Sequence, residues 1–262
     1  MRRAVFAGSF YPSRGEEIKS FFNRVECRKP KIKAIGAISP HAGYIYSGKT
    51  AYKTLCSIDI PDTVIIFCPN HRGLGWALSV SPEDSWETPF GEIEIDMDLS
   101  REIADFSYSK LDSVAHLYEH SLEVQLPILK LLKPDVKIVA VSVGLGDADI
   151  LKDFSHHIYE KTKDKNVLFL ASSDMSHYVP ADYAEKQDFA VIEAMKNLNA
   201  DLAYNLVETR NISMCGIYPA YIMLNLAKLK GATAGEVIEY TNSGVVTGDY
   251  NEVVAYLGMV FY

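Results

Sequence analysis

The chain has 262 residues, 48% of them hydrophobic and 23% charged, with a formal net charge of −8. That composition supports a packed core and excludes a disordered chain. The acidic balance excludes nucleic acid as the main partner, because phosphate binding needs a basic surface. No apolar run approaches the roughly 18 residues of a membrane span. No secretory leader is legible either, so the expectation is a cytoplasmic protein with no membrane association.

Residues 34–39 predict a strand, and the GKTAYKTLC segment after Tyr46 a helix. Residues 63–68, bounded by Pro61 and Pro69, predict a second buried strand. Between 76 and 95, ALSVS and GEIEID flank a WETPFG loop and suggest a hairpin. Asp98 to Phe106 reads as a helix, with Asp98 as N-cap. In 119–132, EHSLEVQLPILKLL, Leu122, Leu126 and Leu129 fall near helical spacing, and Pro127 implies a break or kink. Strands follow at 136–143 and 166–171, and helices at 148–161, 181–196 and 216–229, the last with Pro219 tolerated in its first turn. Two strands, about 235–241 and 252–260, close the chain. No linker or repeat divides it, so residues 1–262 are expected to form one α/β domain. Strands alternating with helices imply a largely parallel central sheet flanked by helices, with the terminal strands antiparallel at an edge.

Three histidines each follow one of these apolar runs. His41 ends AIGAISPHAGY, His71 ends TVIIFCPNHRG, and His177 ends NVLFLASSDMSHY. Open α/β sheets bind ligands at the carboxyl ends of their strands. Imidazoles delivered there suit metal ligation or proton transfer. The proline before His41 and the glycine after it fit a strand end that aims a side chain outward, although a turn histidine bonded to backbone has the same pattern. His71 repeats the arrangement, on what reads as the next strand of the sheet, and neighbouring Arg72 would bind an anionic group or face water. Asp174 would orient an imidazole, ligate metal or cap a turn, and His177 would act as a base. His120 would donate to a developing negative charge, and Glu119 beside it would serve the helix dipole alone.

Four cysteines, Cys27, Cys56, Cys68 and Cys215, are widely spaced without a CxxC pair. They are not a disulfide framework, and a reducing compartment is the default. Cys215 precedes a predicted helix N-terminus, a position that favours a thiolate. Cys68 reads as an ordinary buried cysteine. His116, His156 and His157 have no motif around them and read as surface or structural residues. Tyr44 and Tyr46 would line a pocket or pack as core.

Taken in order, AGSFYPS, SPHAGYIYSGKTAY, PNHRG, WETPFGEIEID, EHSLEVQLPIL, SSDMSHY and MCGIYPAY resemble the MEMO family nearly end to end. The family often has tryptophan where this chain has Phe10, which keeps an aromatic wall but removes an indole. The family is similar in fold to the class III extradiol dioxygenases of the LigB type. The resemblance implies metal ligands at His41, His71 and Cys215, a base at His177 and a second active-site histidine at His120. Those dioxygenases carry glutamate at the third ligand position. A thiolate there is softer and suits copper or zinc as well as iron, so ring cleavage is not transferred. The family also implies a functional link to AMMECR1-like and radical-SAM proteins.

The first expectation is therefore one metal ion (iron, copper or zinc) serving redox chemistry on a small substrate. His177, oriented by Asp174, would move protons, and Phe10 and Tyr44 would wall the pocket. The second is a non-catalytic module whose dioxygenase-like cleft binds a small ligand or a peptide, with Arg72 receiving an anionic group. The third is hydrolysis with Cys215 as nucleophile and His177 as base.

Overall fold

Apolar runs rich in β-branched residues, Val64–Cys68, Ile138–Val143 and Val167–Ala171, are buried along their whole length. Strands buried on both faces belong in the middle of a sheet. In a computed structural model that describes residues 1–262, they do. The strands are β1 (Gly36–Ser39), β2 (Thr63–Pro69), β3 (Leu78–Val80), β4 (Ser85–Thr88), β5 (Gly91–Ile95), β6 (Ser109–Leu111), β7 (Lys137–Val143), β8 (Val167–Ser172), β9 (Asp174–Val179), β10 (Gly235–Asn242) and β11 (Val253–Phe261). The helices are α1 (Gly15–Phe22), α2 (Lys49–Cys56), α3 (Met97–Ala104), α4 (His120–Glu123), α5 (Leu126–Leu132), α6 (Ala148–Thr162), α7 (Ala181–Lys196), α8 (Ala200–Arg210), α9 (Ile217–Leu229) and α10 (Gly244–Thr247).

All eleven strands join one mixed sheet, whose main path runs β10-β11-β1-β8-β2-β7-β3-β6. Strands β1, β8, β2 and β7 are parallel. Strand β11 runs antiparallel to both β1 and β10, as expected of the tail. Alternate side chains serve opposite faces. Ile65, Phe67, Val139 and Phe169 pack into one apolar core, while Val64, Ile66, Ile138 and Leu168 pack into the other. No helix is long and apolar enough to cross a membrane.

Several local expectations are corrected. Strands β1 and β2 are not neighbours, because β8 lies between them. The hairpin joins β4 to β5. Strand β3, fully buried, pairs instead with β7 and β6. The cap of α3 is Asp96, whose carboxylate accepts from Leu99 N at 3.1 Å. Asp98 sits exposed in the first turn, where its charge still favours the dipole. Pro127 does coincide with a break, since α4 ends at Glu123 and α5 resumes at Leu126. Helix α8 carried no recognised signal, although Asn199 caps it and Asn211 ends it in the left-handed region. Residues 174–179 form β9 against β11, so Asp174 caps nothing.

Cys27 and Cys56 are disulfide-bonded, with Cα atoms 5.5 Å apart. Wide spacing in sequence was no guide, because α2 returns Cys56 to the loop that carries Cys27. The bond removes the ground on which the cysteines indicated a reducing compartment.

A buried ion pair fixes the N-terminal segment. Arg2 donates to Glu123 at 2.6 Å, and the same carboxylate accepts from Phe6 N and Tyr11 OH, each at 2.7 Å. The Arg2 guanidinium also stacks over Trp86 and donates to the His116 carbonyl at 2.7 Å. Of the two readings of His116, surface or structural, the structural one holds, since the residue is fully buried. Burial, then the nearby Arg2 charge, hold its imidazole down at about 4, against 6.5 for a free side chain. A folded-state value below the unfolded one means that the neutral ring is favoured by folding. This contribution is complete above about pH 6.5 and is lost toward pH 4, on the order of 3 kcal/mol. Urea midpoints should therefore fall across that window, and His116→Gln should flatten the fall; an equally steep profile in the variant would contradict this reading.

Candidate metal centre

The carboxyl ends of β1, β8 and β2 lie side by side; the loops after β1 and β2 deliver His41 and His71 to that edge, and the start of β9, just after β8, delivers Asp174. Cys215 arrives from the turn before α9. Its sulfur stands 3.2 Å from His41 Nε2. One ligand atom from each of His41, His71 and Cys215 falls within 4.8 Å of the others.

The tautomer of His41 follows from its neighbours. Ser172 Oγ donates its single proton to the Ser121 carbonyl at 2.6 Å. It is left to accept from Gln125 Nε2 and from His41 Nδ1, each at 3.0 Å. His41 therefore carries its proton on Nδ1 and turns the Nε2 lone pair toward Cys215. Burial, then the neighbouring His71, keep this ring well below its usual range and hence neutral.

His71 is set by Glu119. Its Nδ1 lies 2.9 Å from Glu119 Oε1, and its backbone N–H donates to Oε2 at 2.8 Å. Ser121 donates to Oε1 as well, through N at 3.0 Å and Oγ at 2.6 Å. Burial alone would raise this carboxyl, but the His71 and Ser121 hydrogen bonds outweigh it and hold the group down at about 2. His71 Nε2 thus remains free to ligate, with the carboxylate–histidine support common in metal sites. His71, Glu119 and His120 also form a second ligand-like group. The Glu119 oxygens are already occupied by these donors, which makes Glu119 an orienting group. Sequence reasoning gave it only a role at the helix end. It does cap α4, but its contact with His71 arises from the fold.

The donor set fits a metal ion. Bonds of roughly 2.0–2.3 Å in a tetrahedron separate ligand atoms by about 3.3–3.8 Å, and the sulfur–imidazole distance is already close to that. The expectation of a thiolate favoured by a helix terminus is corrected. Gly216 is the N-cap of α9, and burial, then the Asp174 carboxylate, push the Cys215 thiol up. Without metal the sulfur is a thiol that donates to His41 Nε2, and Asp174 N donates to the sulfur at 3.4 Å.

Three further residues surround this group. The His120 ring lies 4.8 Å from that of His71 and 5.4 Å from that of His41, and Phe10 covers it at 4.5 Å. Asp174 accepts from His41 N at 2.8 Å, and its other oxygen is 4.0 Å from His41 Nε2. Asp174 does not orient His177. That ring is set by the Ser213 carbonyl, 2.8 Å from Nδ1, so Nδ1 carries a proton directed away from Asp174. Tyr178 follows with φ at +55°, a conformation that costs a non-glycine residue about 1–2 kcal/mol.

Asp174, His177 and Phe10 open onto a cleft of about 380 Å³ that Tyr46, Tyr178 and Tyr256 also line. Tyr44 is not in this cleft. It is buried in the core with its hydroxyl on the Val124 carbonyl at 2.8 Å. Arg72 is exposed and donates to the Tyr118 carbonyl at 3.3 Å, also outside the cleft.

These features define a single α/β domain with a histidine–cysteine group at the carboxyl edge of a mostly parallel sheet. The chain belongs to the Memo-like protein family, which it matches over residues 2–260. It is 46% identical to a MEMO1 family protein of Aquifex aeolicus, over 100% of this chain and 99% of the relative. It is 40% identical to one of Methanosarcina barkeri, over 99% of each. An uncharacterized protein of Escherichia coli K12 shares the fold, with a TM-score of 0.59 at 12% identity over 86% of this chain and 98% of that one.

Metal-free protein near neutral pH should show His41 as the neutral Nδ1–H tautomer in long-range proton–nitrogen spectra of the imidazoles. An Nε2–H signal assigned to His41 would break the chain of hydrogen bonds through Ser172.

Proposed function

We propose that His41, His71 and Cys215 hold one metal ion, iron, copper or zinc, and that the protein uses it on a small substrate in the adjoining cleft, for redox chemistry if the ion is iron or copper and as a Lewis acid if it is zinc. The observation that carries this reading is the 3.2 Å approach of the Cys215 sulfur to His41 Nε2, in a group whose third member is His71. The expected likeness to extradiol dioxygenases supports the same reading. Its third ligand differs, however, so ring opening is not assigned.

A bound metal would supply Lewis acidity and, if iron or copper, an electron-transfer centre. The protein's own groups supply the rest. His177, whose Nδ1 donates to the Ser213 carbonyl, turns Nε2 to the cleft wall as the base that accepts a proton from substrate. His120, stacked on the His71 ring, is the group that donates an N–H to negative charge developing beside the metal group. Asp174 fixes the His41 backbone, and Phe10 shields the His120 ring from water. Cysteine-based hydrolysis is disfavoured, because the Cys215 sulfur faces His41 rather than the His177 base and burial opposes the thiolate.

Freshly purified protein, or protein reconstituted and then desalted, should carry stoichiometric metal. His71→Ala and Cys215→Ala should abolish loading. Glu119→Gln should weaken affinity about 10–100-fold, the usual effect of removing a carboxylate behind a ligating histidine. His177→Ala should load normally. A protein that neither carries nor takes up iron, copper or zinc would contradict the proposal.

A further inference from the structure

The cleft beside the metal group has a distinctive lining. Aromatic rings come from Phe10, Tyr46, Tyr178 and Tyr256, and carboxyl groups from Asp174 and Glu252; no lysine or arginine lines it. At about 380 Å³, it is the size of a small-molecule site.

Tyr178 is the informative residue. It is 75% exposed, so core packing does not explain it. Its backbone lies at φ +55°, where glycine or asparagine is the ordinary choice. The position falls in a stretch where the β9–β11 register slips between Val253 and Val254 and again before Tyr256. Bulges of this kind re-aim side chains, and strained residues cluster at ligand sites. Tyr46, 41% exposed, and Tyr256 complete the aromatic wall. Burial, then the Asp174 carboxyl and the phenols of Tyr46 and Tyr178, raise the Tyr256 phenol, consistent with three hydroxyl-bearing rings gathered around one space. Glu252 stands at the exposed rim.

Aromatic faces present negative potential, and rings gathered with a carboxylate and no lysine or arginine form the environment that binds alkylated ammonium groups. We infer that the substrate of this cleft carries an organic cation, a quaternary or alkylated ammonium group, held by Tyr46, Tyr178, Tyr256 and Glu252. This names the substrate class for the site proposed above and rests on that reading of the cleft. It replaces the expectation of an anionic ligand, because Arg72, which would receive one, lies outside this lining. The ammonium occupies the rim beside Glu252, and the remainder of the molecule extends toward His177 and the metal group.

Choline and its uncharged isostere 3,3-dimethyl-1-butanol are suitable probes, titrated against the intact protein by calorimetry or ligand-observed NMR. Choline should bind saturably and at least about fivefold more tightly than the isostere, in line with a cation–π preference. Tyr178→Ala and Glu252→Gln change exposed side chains, and each should weaken choline about threefold or more; Glu252→Gln, which removes only a charge, should leave the isostere little changed. Equal binding of the two probes, no saturable choline binding, or choline binding that survives both substitutions would overturn the inference. Metal content is read on the same samples. Protein that loads metal but ignores choline refutes the cation site alone, and protein that binds choline but takes no metal refutes the metal proposal alone.

Discussion

Ser172 has one hydroxyl proton, and its use decides what His41 can do. The proton goes to the Ser121 carbonyl, so the oxygen must accept from the ring. The His41 lone pair is then turned to the open side, toward the sulfur. The constraint is strong because every member is buried: an unmade bond at Ser172, Gln125 or Ser121 would leave a polar atom without water. Gln125 closes the network by donating to the Pro40 carbonyl at 2.9 Å and accepting from Ser39 at 2.8 Å. The two residues before His41 are thereby fixed together with the ring.

The strand order makes that junction possible. Placing β8 between β1 and β2 brings Ser172 and Asp174 between the two histidine-bearing strand ends. The break between α4 and α5 serves the same end. Glu119 and Ser121 lie at the start of the short helix, and Glu123, one turn on, is tied to Arg2. One segment of chain thus orients His71 through Glu119, receives the Ser172 proton at Ser121, and holds the N-terminal strap that lays Phe10 over His120. Losing the Arg2–Glu123 pair would leave a buried charge unmatched and would loosen that cover as well.

Much of this was legible in the amino-acid order. Apolar runs that end in proline just before a histidine, Pro40-His41 and Pro69-Asn70-His71, placed both histidines at strand ends, and the alternation of strands and helices pointed to the mostly parallel sheet. Cys215 was a candidate from its place before α9 and from family resemblance. Contacts made by distant segments were not legible. Glu119 reads locally as a helix-start carboxylate, Ser213 carries no motif, and the Cys27–Cys56 bond depends on how α2 packs. Tyr44 and Tyr46 are alike in sequence, yet the π-helical turn at Tyr44–Gly48 sends one ring into the core and the other to the cleft. The thiol argument from the helix terminus failed because burial outweighs a half-charge at a helix end.

Anomalous diffraction from crystals of metal-loaded protein, collected on both sides of the metal's absorption edge, tests the central claim most directly. The expected result is a single peak within bonding distance of His41 Nε2, His71 Nε2 and Cys215 Sγ, with Glu119 still hydrogen-bonded to His71 Nδ1. A peak bound to Glu119 and His120 with the sulfur left unbound, or a peak away from this sheet edge, would contradict it.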